Sequence, residues 1–363
     1  MNTSMKLSAA VVVAAMTGCA GIPEAPGTEA ASSLARLTTA APAPDLAKAV
    51  TGHNELALRL YRELRATRPG NVFFSPTSIS VALSMTLAGA AGTTAQEFST
   101  VLASTLDPAA HHVAMNDLDR QLRSRGAGAK SADGKAFRLV PTNQIFSQRG
   151  LRVKQPFLDT LAQQYGAGVR LLDFAAQPEP ARQSINSWVA QSTEQRIPEL
   201  LQPSTIDPAT QLVLINAIYF NAAWRNAFEP AQTQPGQFHA LSGATPTVRF
   251  MNNHELNVRA GQVDGVEVVE LPYDGDELSF IALMPPVDAL GSFEQSLTAA
   301  ALEATLSALH TETLDLALPT FELRYGKSLK APLHALGLQS AFSGDADFSG
   351  ISDGELVVSD VVH

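Results

Sequence analysis

Thr210 to Trp224 reads TQLVLINAIYFNAAW, a run in which β-branched and aromatic residues follow one another with little polar relief. A strand with one face in water alternates apolar and polar residues, because its side chains point to opposite faces in turn. This run stays apolar on successive positions, so it predicts a strand buried on both faces. Between Leu212 and Phe220 one amide side chain, Asn216, interrupts it.

The segments on either side supply helices and further strands. In HNELALRLYRELRAT, Leu56, Leu60 and Leu64 recur at helical spacing, with Asn54 placed to cap the start. TSISVALSMTLAGAAG, Thr77 to Gly92, predicts a buried helix, and Thr93 or Thr94 with Gln96 or Glu97 offers a capping signal for the next. RSRGAGAKSADGK reads as an exposed loop, PTNQIFSQRG as strand and turn, and QPFLDTLAQQYGA as helix. Glu179 to Leu201 reads as one longer helix with Ile185, Trp188 and Val189 on one side. VEVVELPYDGDELSFIALMP is a hairpin turning at Asp274-Gly275, ETLDLALPTFELRY another strand, and LKAPLHALGLQSAF a short helix ending near Gly337. Helices and long strands in clusters, without a βαβ repeat, indicate an α+β fold.

A chain of 363 residues with 45% apolar content can bury a large core. Its net charge of -10 is spread without basic blocks, which disfavours nucleic acid as a partner. Lys6 followed by LSAAVVVAAM reads as a signal peptide over 1–18, too short to span a bilayer as a mature helix. Cys19 is the only cysteine, so no disulfide forms within the chain, and Met16 to Cys19 (MTGC) resembles a bacterial lipoprotein processing box with Cys19 as the lipidated residue. The expected localisation is secreted, anchored to a membrane by that lipid and facing the periplasm or extracellular space. Residues 19–50, rich in Ala, Pro and Thr, read as a flexible tether, with the folded domain at 51–363.

Enzyme motifs fail in context. Gly350 to Gly354 (GISDG) matches the G-x-S-x-G of a hydrolase nucleophile elbow, with Ser352 as the nucleophile. That chemistry needs a strand before the serine and a helix after it, whereas a polar turn precedes Ser352 and the apolar run ELVVSDVVH follows. His111 and His112 lack companions at metal-ligand spacing and read as a solvated loop pair. Neither a catalytic set, a metal site nor a cofactor is expected. Ser75, Ser78, Asn216 and His363 remain as polar residues at the edges of apolar runs, and each taken singly reads as a cap or a satisfied core group.

Six blocks together resemble the serpin family in the family's order: Asn71–Thr94, Ile185–Leu201, Thr210–Pro230, Val269–Pro285, Leu336–Ser352 and Leu356–His363. Gln195 stands where a glycine is usual in that pattern, and Asn221 where a lysine is usual. The resemblance implies three β-sheets, eight or nine helices, and inhibition of a serine or cysteine protease. In that mechanism a reactive loop, once attacked, inserts as a new strand into the central sheet. It also implies that Gln211 to Phe220 and ELVVSDVVH are the two lips of the opening. Ser75, Ser78, Asn216 and His363 match the polar shutter beneath it, and Trp224 the breach at its top. The family's hinge, reactive loop and final strands have no counterpart in 1–363, so the fold is expected to be C-terminally incomplete, the reactive bond unassigned and the chain inactive as a trap. A non-inhibitory module accepting a strand from another chain, and a hydrolase using Ser352, are the alternative readings.

Overall fold

The computed structural model describes residues 23–67, 70–323, 326 and 328–363. The expected signal peptide and the lipidation residue Cys19 lie outside them. Strand β1 (Thr28–Ala30) precedes four helices: α1 (Ala43–Thr67), α2 (Pro76–Leu87), α3 (Gly92–Val101) and α4 (Pro108–Ser124). Strand β2 (Arg138–Gln148), α5 (Gln155–Thr160) with a wider turn to Tyr165, β3 (Val169–Leu172), α6 (Pro178–Ser192) and β4 (Leu212–Asn221) follow. Then come β5 (Gln234–Gln237), β6 (Thr247–Val263), β7 (Val266–Pro272), β8 (Ser279–Met284), α7 (Leu290–Ser296), α8 (Ala299–Ala308) and β9 (His310–Pro319). Helix α9 (Lys330–Ala335) and β10 (Val358–Val362) complete the order.

One sheet runs β1-β3-β2-β4-β10, and β4 is its most buried strand. Leu212 and Leu214 join the core packed beneath α1, α2 and α4, while Val213, Ile215 and Ala217 join a second core under α6 with Phe146, Ile185 and Trp188. Alternate side chains thus enter opposite layers, which is why the run needs no polar face. The other sheet orders β5-β6-β7-β8, with β9 also on β6. Strand β6 is long enough to carry β5 at its start, β9 along its middle and β7 at its end. Among the described residues the expected second and third sheets are therefore one continuous ladder sharing β6. The fold is α+β with nine α-helices in the described residues.

Three local expectations change. Helix α1 starts at Ala43, so Asn54 lies inside it, although Leu56, Leu60 and Leu64 are all buried as their spacing requires. Residues 23–42 are docked on the domain rather than forming a flexible tether: β1 pairs with β3, and buried polar groups of α4 hold the following residues. Composition suggests a spacer because these docking bonds run largely through the backbone, which composition does not encode. Helix α6 stops at Ser192, where Glu194 and Gln195 adopt positive φ of 48° and 62° and break the helical path. Gln195 thus occupies a left-handed position, the conformation that explains a glycine there in the family pattern.

A polar cluster across a parallel seam: the candidate functional site

The site is built where β10 meets β4. These strands are parallel, paired from Val358↔Leu212 to Val362↔Ile215, with a register shift between Val358 and Asp360. Gln211 fastens the lower end: its amide donates to Ser359 Oγ at 3.1 Å and its side-chain oxygen accepts from the Val357 amide at 2.9 Å. Beyond Ile215, β4 continues to Asn221 paired with β2 on one side and, among the described residues, with no strand on the other.

Immediately above the last paired residues sits the polar cluster. Ser75 is the N-cap of α2, and its hydroxyl accepts from the Ser78 amide at 3.3 Å. Pro76 at the first helical position needs no such partner, so sequence alone sets this helix start. The Ser75 amide donates to His363 Nε2 at 2.8 Å, and the other ring nitrogen, Nδ1, donates to Asn216 Oδ1. These partners select the neutral tautomer with its proton on Nδ1. Burial lowers the His363 pKa to about 4, because the charged ring would lose water without gaining an acceptor. Ser78 and Asn216 are both fully buried. The four residues, read from three separate segments, therefore meet, joining α2, β4 and the end of β10.

Sequence reasoning misses one member. Asn143 on β2 lies directly across from Asn216 in the antiparallel ladder, so it shares the face toward α2. Both ends of its side-chain amide lack a hydrogen-bond partner, as does Asn216 Nδ2. Neighbouring Thr142, on the opposite face, also has an unpartnered hydroxyl. A polar residue directly opposite Asn216 is the available signal, but the register that makes them neighbours is not written in either segment alone.

Trp224 is not part of this cluster. It lies beyond the far end of β4, stacked on Tyr273 at 4.8 Å between ring centres and edge-on to Phe228 and Phe280. A bridge from Trp224 to Tyr273 ties the top of β4 to the other sheet. These contacts join the two sheets at Trp224, eight positions from Asn216 in the sequence.

Ser352 is buried at 5% exposure, and its hydroxyl accepts only a long bond of 3.4 Å from the Gly354 amide. No histidine is bonded to it among the described residues, and β10 follows it where an elbow needs a helix. His111 and His112 depart from the solvated loop expected: both lie in α4 and are buried. The Pro108 start, capped by Asp107, places them on the inward side of that helix. His111 bonds Ser84 Oγ at 2.9 Å and Ser104 Oγ at 3.0 Å, and His112 bonds the Tyr165 hydroxyl at 2.6 Å. Burial lowers their pKa values to about 4 and about 3, the latter further reduced by the neighbouring ring. No group of His, Cys, Asp and Glu suited to a metal is found among the described residues.

Comparison with known proteins agrees with this architecture. A family model described as "Serpin (serine protease inhibitor)" matches residues 51–363. The protein Ipis-1 of Ixodes persulcatus is 35% identical over 312 residues, covering 84% of this chain and 80% of the relative. The leukocyte elastase inhibitor of Sus scrofa is 34% identical over 322 residues, covering 86% and 82% respectively. The crystal structure of uncleaved ovalbumin superposes with a TM-score of 0.80 at 25% identity, covering 86% of this chain and 84% of that one.

Proposed function

The chain belongs to the serpin family, and on that premise we propose that it is a serine protease inhibitor whose central sheet takes up a strand between β4 and β10. The observation that carries this reading is the bridging of a parallel strand pair by an exchangeable polar cluster. Parallel pairing is the weaker kind per residue, and a strand entering antiparallel to both lips would replace one parallel contact by two antiparallel ones. Such an entry must separate His363 from Asn216. Polar groups that trade partners make the step feasible, since each buried group left unpaired costs about 1–3 kcal/mol. Asn216, whose Nδ2 already has free hydrogen-bonding capacity, faces the seam where the new strand would enter, and Asn143 stands behind it on β2.

The residues do not act as catalysts. Ser75, Ser78, Asn216 and His363 hold the closed sheet, and Trp224 anchors the top of β4. No residue of 1–363 is assigned to the reactive bond. The proposal includes the lipid on Cys19, which would hold the inhibitor at a membrane surface outside the cytoplasm.

A second reading is favoured by the one-sided pairing of β4 from Asn216 to Asn221: a non-inhibitory module that accepts a partner's strand. Two measurements on the same chain separate them. Under either reading, a peptide of small residues rich in Glu, Gly, Thr and Ala raises the thermal midpoint and protects β4 and β10 from hydrogen exchange. Incubation with serine proteases then distinguishes inhibition, seen as an SDS-resistant complex, from strand binding alone. A peptide without effect on either midpoint or exchange defeats both.

A further inference from the structure

Residues 23–42 precede the part of the chain that matches the family, yet they are built into the domain. At one end β1 extends the sheet beyond β3, with Thr28, Glu29 and Ala30 opposite Leu171, Arg170 and Val169. The fit is close: a Cβ on Gly168 would come within 2.8 Å of the Ala30 carbonyl oxygen, and one on Gly27, at φ +92°, within 2.6 Å of the Leu171 oxygen. Arg170 forms ion pairs with Glu24 at 3.0 Å and Glu29 at 3.3 Å. The Trp188 indole of α6 donates to the Pro23 carbonyl at 2.8 Å, and Ala25 is buried in the core with Phe146 and Trp188.

At the other end the segment is fastened to α4. Arg36 donates to Asn116 Oδ1 at 2.9 Å and pairs with Asp119 at 2.7 Å. Asn116 in turn donates to the Leu37 carbonyl at 3.0 Å, and the Ala41 amide donates to Asp117 at 3.0 Å. Asn116, Asp117 and Asp119 are each less than 5% exposed, so removal of the segment would strip partners from three buried polar groups. The chain then enters α1 directly at Ala43.

This path has a mechanical consequence. If β4 parts from β10 with its own ladder intact, the strands β1, β3, β2 and β4 shift together against the helices packed behind them. The segment is bonded to that ladder at β3 and to α6, and it is also bonded to α4 and continuous with α1. We propose that residues 23–42 are a latch that ties the β3 edge of the sheet to α4 and α1 and so restrains the parting of β4 from β10. This rests on the strand-insertion reading above. The restraint lies at the opposite edge of the sheet from the seam it controls, so it acts without touching the shutter residues.

The test uses the full chain with Cys19→Ser, comparing it with a release variant, Arg36→Ala with Glu29→Ala, and a lock variant, Glu29→Cys with Arg170→Cys, at two directly opposed positions. The lock is read oxidised against reduced, which cancels the ion pairs that both forms lack. Hydrogen exchange is followed at residues 28–41 and, separately, at the β4 and β10 amides, together with the rate of uptake of the strand peptide. Release should speed both seam exchange and uptake about ten-fold or more, the equivalent of losing roughly one charge-assisted hydrogen bond, and the oxidised lock should slow both relative to its reduced form. Seam exchange that is unchanged while residues 28–41 exchange freely, or that is equal in the two lock forms, overturns the latch. Failure of every form to take up the peptide overturns strand insertion instead, and seam exchange still decides the latch.

Discussion

His363, the residue after β10, and Ser75 at the start of α2 are joined by a hydrogen bond from the Ser75 amide to His363 Nε2 at 2.8 Å. A histidine can accept that bond only while Nε2 is unprotonated, and its other nitrogen is already committed to Asn216. The closed seam is therefore a neutral-imidazole structure.

Acid should weaken it. His53 bonds Ser80 at 3.0 Å and Thr77 at 3.3 Å, and burial lowers its pKa to about 4, as it does for His363 and His111. His112 is lowered to about 3. In the unfolded chain each titrates near 6.5, so between pH 6.5 and 4 the unfolded state binds more protons than the folded one. Stability is undiminished above that window and falls as pH drops through it. A ten-fold weakening of proton affinity on folding corresponds to about 1.4 kcal/mol, so several histidines together cost on the order of several kcal/mol. Urea unfolding at stepped pH measures this, and a midpoint independent of pH from 7 to 4.5 would contradict it.

Asn216→Ala leaves the His363 Nδ1–H without an acceptor in a buried site and should cost about 1–3 kcal/mol. His363→Ala removes the other half and the Ser75 contact. The double variant should cost less than the sum of the two, because each single change already breaks the shared bond. Additive losses in denaturant melts would show that the two residues are not coupled.

Ser75→Ala removes the cap of α2 and should lower stability by about 1 kcal/mol. Ser75→Asp retains a capping acceptor for the Ser78 amide and should recover part of the loss. Equal melting of the two variants would assign the effect to something other than capping.

Gln195→Gly should stabilise the chain by about 0.5–1 kcal/mol. The left-handed conformation costs a non-glycine residue about 1–2 kcal/mol, more than the entropy a glycine loses on folding. A lower thermal midpoint for the glycine variant would refute the strain at this turn.

Ser352→Ala should change no hydrolytic activity of a purified sample, since the hydroxyl is buried and no base is bonded to it among the described residues. Esterase activity that vanishes in this variant would reinstate Ser352 as a nucleophile.

How much of the molecule is legible in its sequence depends on where each interaction is encoded. The buried strand at Leu212 to Asn221 announces itself through an apolar run without alternation, and the Leu56, Leu60, Leu64 stripe through helical spacing, which burial then satisfies. The hairpin turn at Asp274-Gly275 is local as well, and Gly275 takes φ +91°. Ser75, Ser78, Asn216 and His363 are separately ordinary, and only the order of surrounding blocks groups them. Asn143 escapes because strand register is a long-range property. His111 and His112 read as a loop for a similar reason: the hydroxyls that bury them, Ser84 and Tyr165, come from distant segments. Residues 23–42 carry no apolar period, and their partners are buried side chains of α4.

The central claim is that β4 and β10 separate to admit a strand, and a cross-link between them tests it most directly. Leu214 and Val361 are register partners across the seam. In a Leu214→Cys/Val361→Cys chain, carried in the Cys19→Ser background, the reduced protein should bind the strand peptide and gain thermal stability, while the oxidised protein should do neither. Equal peptide binding by the oxidised and reduced forms would contradict the account, because a strand would then be entering somewhere other than between β4 and β10.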